Sequence, residues 1–150
     1  MNITDIIDEM PMFKSFSEDE KKKFSELEHV LQEFNRGDII IKEGDTSTSL
    51  YLLIKGTVLV TRTDDDATIR LGRLNPGEIF GEMSYFLDKP RRSNIVANED
   101  VIVMKMDDNL FSKMPAEIRD KINHFFIKLL SKRIDEMNSS IMNIARMMHS

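Results

Sequence analysis

The period of the hydrophobic positions changes twice along the chain and divides it into three parts. Residues 3 to 9 carry a short helical pattern that Pro11 interrupts before Phe13 and Phe16. Ser17, with Glu20 three positions on, has the form of a capping box. Phe24, Leu27 and Val30 or Leu31 recur at helical spacing, which predicts a helix over about 18–28. From Glu28 the pattern shortens. Apolar stretches at Val30 to Phe34, Ile39 to Ile41, Leu50 to Ile54, Val58 to Thr63, Thr68 to Leu74, Asn94 to Ala97 and Val101 to Met106 are mostly separated by turn signals. These are Gly37-Asp38, Gly44-Asp45, Gly56, Asp64 to Asp66 and Pro76-Gly77. Many short strands at close spacing predict a β-sandwich or barrel of jelly-roll type. In the fourth of these stretches, Val58, Val60 and Arg62 alternate with Leu59 and Thr61, as on a strand with unlike faces.

After Met106 the helical period returns. Asp107-Asp108 can start a short helix through Phe111 and Met114, which Pro115 closes. The stretch from about Ala116 to Met148 then contains neither Gly nor Pro, so one long helix is expected. It carries two apolar sets. Ile118, Ile122, Phe125 and Leu129 suit packing on the barrel. Ile127, Leu130, Ile134, Met137, Ile141, Ile144 and Met148 alternate spacings of three and four, the seam of a coiled coil. One small barrel cannot cover both sets, so the second half calls for a partner, a lid function, or both. The expected layout is one domain over 1–150: a helical segment at 1–28, the barrel at 29–106, and helices at 107–150.

Composition narrows the chemistry. At 150 residues the chain can bury a substantial core. Its net charge of −5 argues against a broad attraction to nucleic acid or anionic lipid. The absence of cysteine removes disulfides and thiolate chemistry and fits a reducing cytoplasm. No apolar run approaches membrane-spanning length, and the N-terminus has no basic-then-apolar signal pattern, so a cytoplasmic protein is expected. His29, His124 and His149 lie too far apart for metal-ligand spacing. The triple Asp64 to Asp66 lacks the glycine and downstream glutamate of a calcium loop and reads as a solvated hairpin tip. Lys21 to Lys23 reads as the solvated face of a helix.

The stretch with the most chemistry is Phe80 to Ala97, FGEMSYFLDKPRRSNIVA. The turn signal Asn75-Pro76-Gly77 and the apolar Ile79 and Phe80 lead into Gly81, where a backbone can turn sharply or approach a ligand. Glu82 to Leu87 can make one or two helical turns, ended by Lys89-Pro90. Arg91 and Arg92 follow. A glycine entering a short helix with arginine just beyond it is an anion cradle, built from free N–H groups and a guanidinium fork. Glu82 beside an anion suits hydrogen bonds from hydroxyls of the same ligand, as acidic residues make to ribose. One anionic group plus one diol points to a nucleotide.

This stretch resembles the phosphate-binding cassette of cyclic nucleotide-binding domains, found in protein kinase A regulatory subunits, cyclic-nucleotide-gated channels and catabolite activator proteins. Phe80-Gly81-Glu82-Met83-Ser84 meets the first half of that pattern, and Pro90-Arg91, Ser93, Ile95 and Ala97 meet the second. Gly37-Asp38-Ile39-Ile40, Lys42-Glu43-Gly44-Asp45, Leu50-Tyr51 and Gly56 resemble the family's turns upstream. The resemblance implies that Arg91 pairs with the cyclic phosphate and that Glu82 accepts from the ribose 2′-hydroxyl. It implies that the amides of Met83, Ser84 and Ser93 line the phosphate and that Gly81 admits the sugar. The final helix would cover the base or form a dimer. Three positions depart from the pattern: Asn94 replaces Thr, Tyr85 replaces Leu, and Arg92 stands where cGMP-preferring channels often have Thr. The last tilts the ligand towards cAMP over cGMP and leaves Arg92 as a second candidate for the phosphate, although Arg91 fits the register better.

The alternatives are a Glu82–Arg91 bridge in an empty scaffold, a protein-interaction domain of the same fold, and the sensor fragment of a larger regulator. No nucleophile, carboxylate pair or metal cluster supports an enzyme, and a phosphodiesterase would need metals. The sequence given has no room after the long helix for a helix-turn-helix module. The expected partners are a cyclic nucleotide, and a second copy or an effector helix on the C-terminal seam.

Overall fold

A computed structural model describes residues 2–149. Helix α1 (Ile3–Glu9) and a 3-10 turn (Pro11–Phe13) precede α2 (Glu18–Ser25). Five strands follow: β1 (Val30–Phe34), β2 (Ile39–Ile41), β3 (Leu50–Lys55), β4 (Val58–Asp64) and β5 (Ala67–Leu74). The short β6 (Ile79–Phe80) enters α3 (Glu82–Leu87), and β7 (Asn94–Ala97) and β8 (Val101–Met106) complete the sheets. Helices α4 (Asp108–Ser112) and α5 (Ala116–Met148) end the chain. The strands form two four-stranded sheets, ordered β1-β8-β3-β6 and β2-β7-β4-β5, with antiparallel pairing throughout. This is the expected β-jelly-roll with flanking helices.

Strand β3 explains how one barrel supports two apolar layers. Leu50, Leu52 and Ile54 face outward and pack with Phe13, Phe24, Met104, Ile118 and Ile122 beneath the helices. Tyr51 and Leu53 face inward, with Ile41, Val58, Phe80, Ile95 and Val103. The period-2 alternation of the strand becomes two cores because both of its faces are covered.

Three local expectations change. The helix expected over 18–28 stops at Ser25. The Phe24 carbonyl, which a continuing helix would offer to residue 28, accepts instead from the Leu27 N–H and from His29 Nε2 at 2.7 Å. In α5 Ile118 and Ile122 are buried as expected, but the third buried residue is Phe126, with Phe125 and Leu129 only partly buried beside it. The docked stripe steps by four through Ile118, Ile122 and Phe126, and Phe126 meets Phe86 of α3 edge-on at 5.5 Å. In β4 a register shift between Val60 and Thr61 breaks the alternation and buries Thr61. The triple aspartate closes the β4–β5 hairpin, with Asp65 and Asp66 both left-handed (φ 46 and 66) and exposed.

The two halves of α5 are held differently. Burial of Ile118, Ile122 and Phe126 fixes the first half, at about 1.5–3 kcal/mol for each such side chain. Residues 134–148 are exposed except Ala145, which is half-buried, and leave Ile134, Met137, Ile141, Ile144 and Met148 open to solvent. No described helix is long and apolar enough to cross a membrane.

The capping box at α2 forms as the sequence predicts: Ser17 Oγ accepts from the Glu20 N–H, and Glu20 accepts from the Ser17 N–H. Glu20 has a further partner, Lys121 of α5, whose ammonium also donates to the Ser15 carbonyl. Lys121 first, and then the Ser17 N–H, hold the Glu20 carboxyl at about 2 against an ordinary 4.5. A carboxyl lowered in the folded state stabilises above its unfolded value and loses that contribution as pH falls through the folded one. The stability advantage of the native chain over Glu20→Gln is therefore expected to be full above pH 4.5 and to fade towards pH 2. Urea melts of both proteins across that window check it.

Candidate functional site

The site forms where β6 runs into α3. Gly81 starts that helix in the left-handed region (φ 81), which brings its carbonyl to the Arg91 guanidinium. A side chain has no room there, because a Cβ would stand 3.0 Å from Arg91 Nη1 and 3.1 Å from the Ser49 carbonyl oxygen. The glycine is thus required twice, by its backbone angle and by the arginine that passes over it.

Arg91 is 4% exposed. Its Nη1 donates to the Gly81 carbonyl at 2.9 Å and its Nη2 to the Ser49 carbonyl at 2.6 Å. Its Nε is buried with no partner. No ion pair to a carboxylate forms among the described residues. Burial lowers its pKa, opposed by Tyr51, Asp45 and Glu82 nearby. The backbone around it is clamped: the Arg91 N–H donates to the Asp45 carbonyl, and the Gly44 N–H donates back to Arg91, each at 2.8 Å. Asn94, where the family pattern has Thr, accepts from the Glu43 N–H at 2.8 Å and fastens the same turn.

A cavity of about 490 Å³ opens over these groups. All seven residues singled out in the sequence line it: Gly81, Glu82, Met83, Ser84, Arg91, Arg92 and Ser93. Glu82 and Ser84 are buried, whereas Met83 and Arg92 are exposed at the mouth. Arg62 of β4 donates through Nε to the Arg92 carbonyl at 2.9 Å, which ties the cassette to the second sheet. The Glu82–Arg91 bridge weighed from the sequence does not form. Glu82 Oε1 is instead held by Arg133 of α5, whose Nη2 also donates to the Ile79 carbonyl at 2.6 Å.

Several lining residues were not apparent in the sequence. Ile41, Val60, Leu74 and Ile95 supply an apolar wall, and Arg133 and Glu136 come from α5. The one available signal for Arg133 was its place on the barrel-facing stripe, seven residues after Phe126, where a cation among apolar neighbours implies a buried acceptor.

The model of the cyclic nucleotide-binding domain matches residues 31–117. The chain belongs to this family. Among its relatives is the cAMP-dependent protein kinase type II regulatory subunit of Drosophila melanogaster, 25% identical over 93% of this chain and 35% of that protein. The catabolite activator protein of Thermus thermophilus shares the fold with a TM-score of 0.77 and 26% identity, over 90% of this chain and 63% of that one. A structure of PKAR CBD2 with Sp-2Cl-cAMPS bound superposes with a TM-score of 0.66 and 26% identity, over 90% of this chain and 88% of that one. The cyclic nucleotide-binding domain described here spans about a third of the length of its fly relative.

The double requirement at Gly81 can be separated. Gly81→Ala and Gly37→Ala both force alanine into a left-handed angle (φ 81 and 92), at about 1–2 kcal/mol. Only the first also crowds Arg91, since nothing lies within 4 Å of a Cβ at Gly37. Denaturant melts are expected to show the greater loss for Gly81→Ala.

Proposed function

We propose that this domain is a cytoplasmic sensor that binds cAMP in preference to cGMP, has no catalytic role, and signals through α5. The observation that carries the binding function is the state of Arg91. A guanidinium this buried, held by two carbonyls with its Nε unsatisfied and no carboxylate in ion-pair contact among the described residues, is costly unless an anion completes it. The cyclic phosphate of the ligand, with its single charge, supplies that anion. In this arrangement the N–H groups of Met83, Ser84 and Ser93 add donors, and Gly81 lets the sugar approach. Glu82 accepts from the ribose 2′-hydroxyl. The apolar wall of Val60, Leu74 and Ile95 suits a base. The preference for cAMP is supported by Arg92, which offers no hydroxyl at the cassette, and by the cAMP analogue bound in the 26%-identical relative.

Removing one partner of a buried charged contact costs about 2–5 kcal/mol, so Arg91→Ala is expected to abolish most of the affinity. Calorimetry with cAMP and cGMP on both proteins tests this. Wild-type protein freed of carried-over ligand that gives no heat at high micromolar nucleotide would sink the sensor function.

The α5 arm of the proposal follows from how its exposed seam is built. With Ile127, Ile134, Ile141 and Met148 at one core position of the heptad and Leu130, Met137 and Ile144 at the other, β-branched side chains fill three of the four places in the first set. In a parallel arrangement, isoleucine at the first position leans towards two helices rather than more. The charges Lys128, Lys132, Asp135, Glu136 and Arg146 all fall on outer positions. A second copy therefore fits the seam, with an effector helix as its competitor. Binding shifts the helix because the nucleotide interacts differently with its alternative arrangements. Sedimentation is expected to give a dimer that Ile134→Asp with Ile141→Asp converts to a monomer. A wild-type monomer, with and without nucleotide, rejects the second copy.

A further inference from the structure

The second half of the cassette has little to hold it. Lys89 to Ser93 lie in neither helix nor strand, between the end of α3 and the start of β7. Arg91 is clamped by its own backbone, through Asp45 and Gly44. The next peptide is held differently. Among the described residues the Arg92 carbonyl accepts one hydrogen bond, from Arg62 Nε at 2.9 Å, and the Ser93 N–H donates to no acceptor.

These two groups belong to one rigid unit. The Arg92 carbonyl and the Ser93 N–H share a planar peptide, so a bond that fixes the oxygen also fixes the direction of the hydrogen. Without Arg62, no hydrogen bond among the described residues opposes rotation of that plane about the soft dihedrals on either side.

Arg62 is well placed to hold the plane. It follows the register shift between Val60 and Thr61, and a bulge of this kind re-aims the side chains beside it. It lines the same cavity as Arg92 and Ser93. Glu43 Oε1 stands 3.9 Å from the same Nε and is buried with no hydrogen-bond partner. Its charge steadies the guanidinium while the hydrogen bond goes to the carbonyl. Glu43 is itself tied by its N–H to Asn94 Oδ1, on the far side of Ser93. The Arg62 side chain is 49% exposed, so its ion pair adds little stability. Its consequence is geometric.

We propose that Arg62 is a positioning residue for phosphate recognition: through the Arg92 carbonyl it sets the direction in which the Ser93 N–H is offered to the ligand. This role rests on the nucleotide binding proposed above, in which that N–H is one donor to the cyclic phosphate. Arg91 is fixed by Gly81 and Ser49 without help from Arg62, and the Met83 and Ser84 amides are set by α3. One amide of the cradle therefore depends on β4, and the others do not.

Proton–nitrogen correlation spectra follow each amide separately. Wild-type protein, Arg62→Met and Arg62→Lys are titrated with cAMP, with affinities taken from calorimetry. An amide proton that comes to donate to a phosphate oxygen moves downfield, and in the wild type those of Met83, Ser84 and Ser93 are expected to do so. In Arg62→Met, which keeps the stem without a donor, the Ser93 movement is expected to be lost while the other two remain. Affinity is expected to fall roughly tenfold, the low end for a hydrogen bond to a charged group. Arg62→Lys keeps one donor and is expected to retain most of the Ser93 movement. A Ser93 movement that survives in Arg62→Met overturns the role whatever the affinity does, because a weaker complex would then mark a cation that touches the ligand or merely braces the fold. Equal loss at all three amides overturns it too, since the whole cradle has then collapsed. If the wild type binds cAMP without moving Ser93, binding stands and this role fails. If it binds no cyclic nucleotide, the nucleotide function fails and this role with it.

Discussion

A single buried guanidinium organises this domain. Arg91 forms no ion pair among the described residues, so its hydrogen bonds go to backbone carbonyls, and those carbonyls must be brought to it from distant parts of the chain. Ser49 comes from the entry to β3, and Gly81 from the turn out of β6. The loop at Lys42 to Asp45 clamps the backbone of Arg91 from the other side. Glycine at 81, the short reach of β6 and the Asn94 side chain on Glu43 all follow from the need to hold that group in place. Backbone carbonyls orient a cation without neutralising it.

The surrounding layers transmit that constraint. Helix α3 carries the glutamate of the site on its first residue and aromatic side chains further on. Tyr85 donates to Asp108 at the start of α4 and lies 5.4 Å from Phe111, and Phe86 meets Phe126 of α5. A shift of α3 by a fraction of a ring width would be felt in both following helices, because close-packed aromatic contacts tolerate little misfit. The first half of α5 thus belongs to the same packed unit as the cassette. Its second half, from residue 134 to 148, is exposed except at Ala145.

What could be seen in the sequence, and what could not, follows sequence distance. The cassette is contiguous, and its glycine, glutamate and arginine carry their chemistry within one short segment, so all seven candidate residues meet at one cavity. The strands were legible because turns in this barrel are marked by glycines at positive φ, such as Gly37, Gly44 and Gly56. Contacts across long separations were not. Nothing in the cassette marks Arg133 as the partner of Glu82, since a helix stripe fixes which face is buried but not what it meets. The choice of Phe126 over Phe125 turns on about a hundred degrees of helix rotation, which the position of Phe86 decides. Helix α2 ends before its periodicity predicts for a related reason. His29 takes the Phe24 carbonyl from beyond the helix, where periodicity gives no warning.

The free end of α5 gives the domain a mechanical property. From the edge of the barrel to Met148 the exposed segment extends about 22 Å as a continuous helix. A rigid rod fixed at one end is a lever. A tilt of about ten degrees at Arg133 would carry the tip sideways by about 4 Å over that length. A small rotation at the root is thereby amplified along the exposed seam.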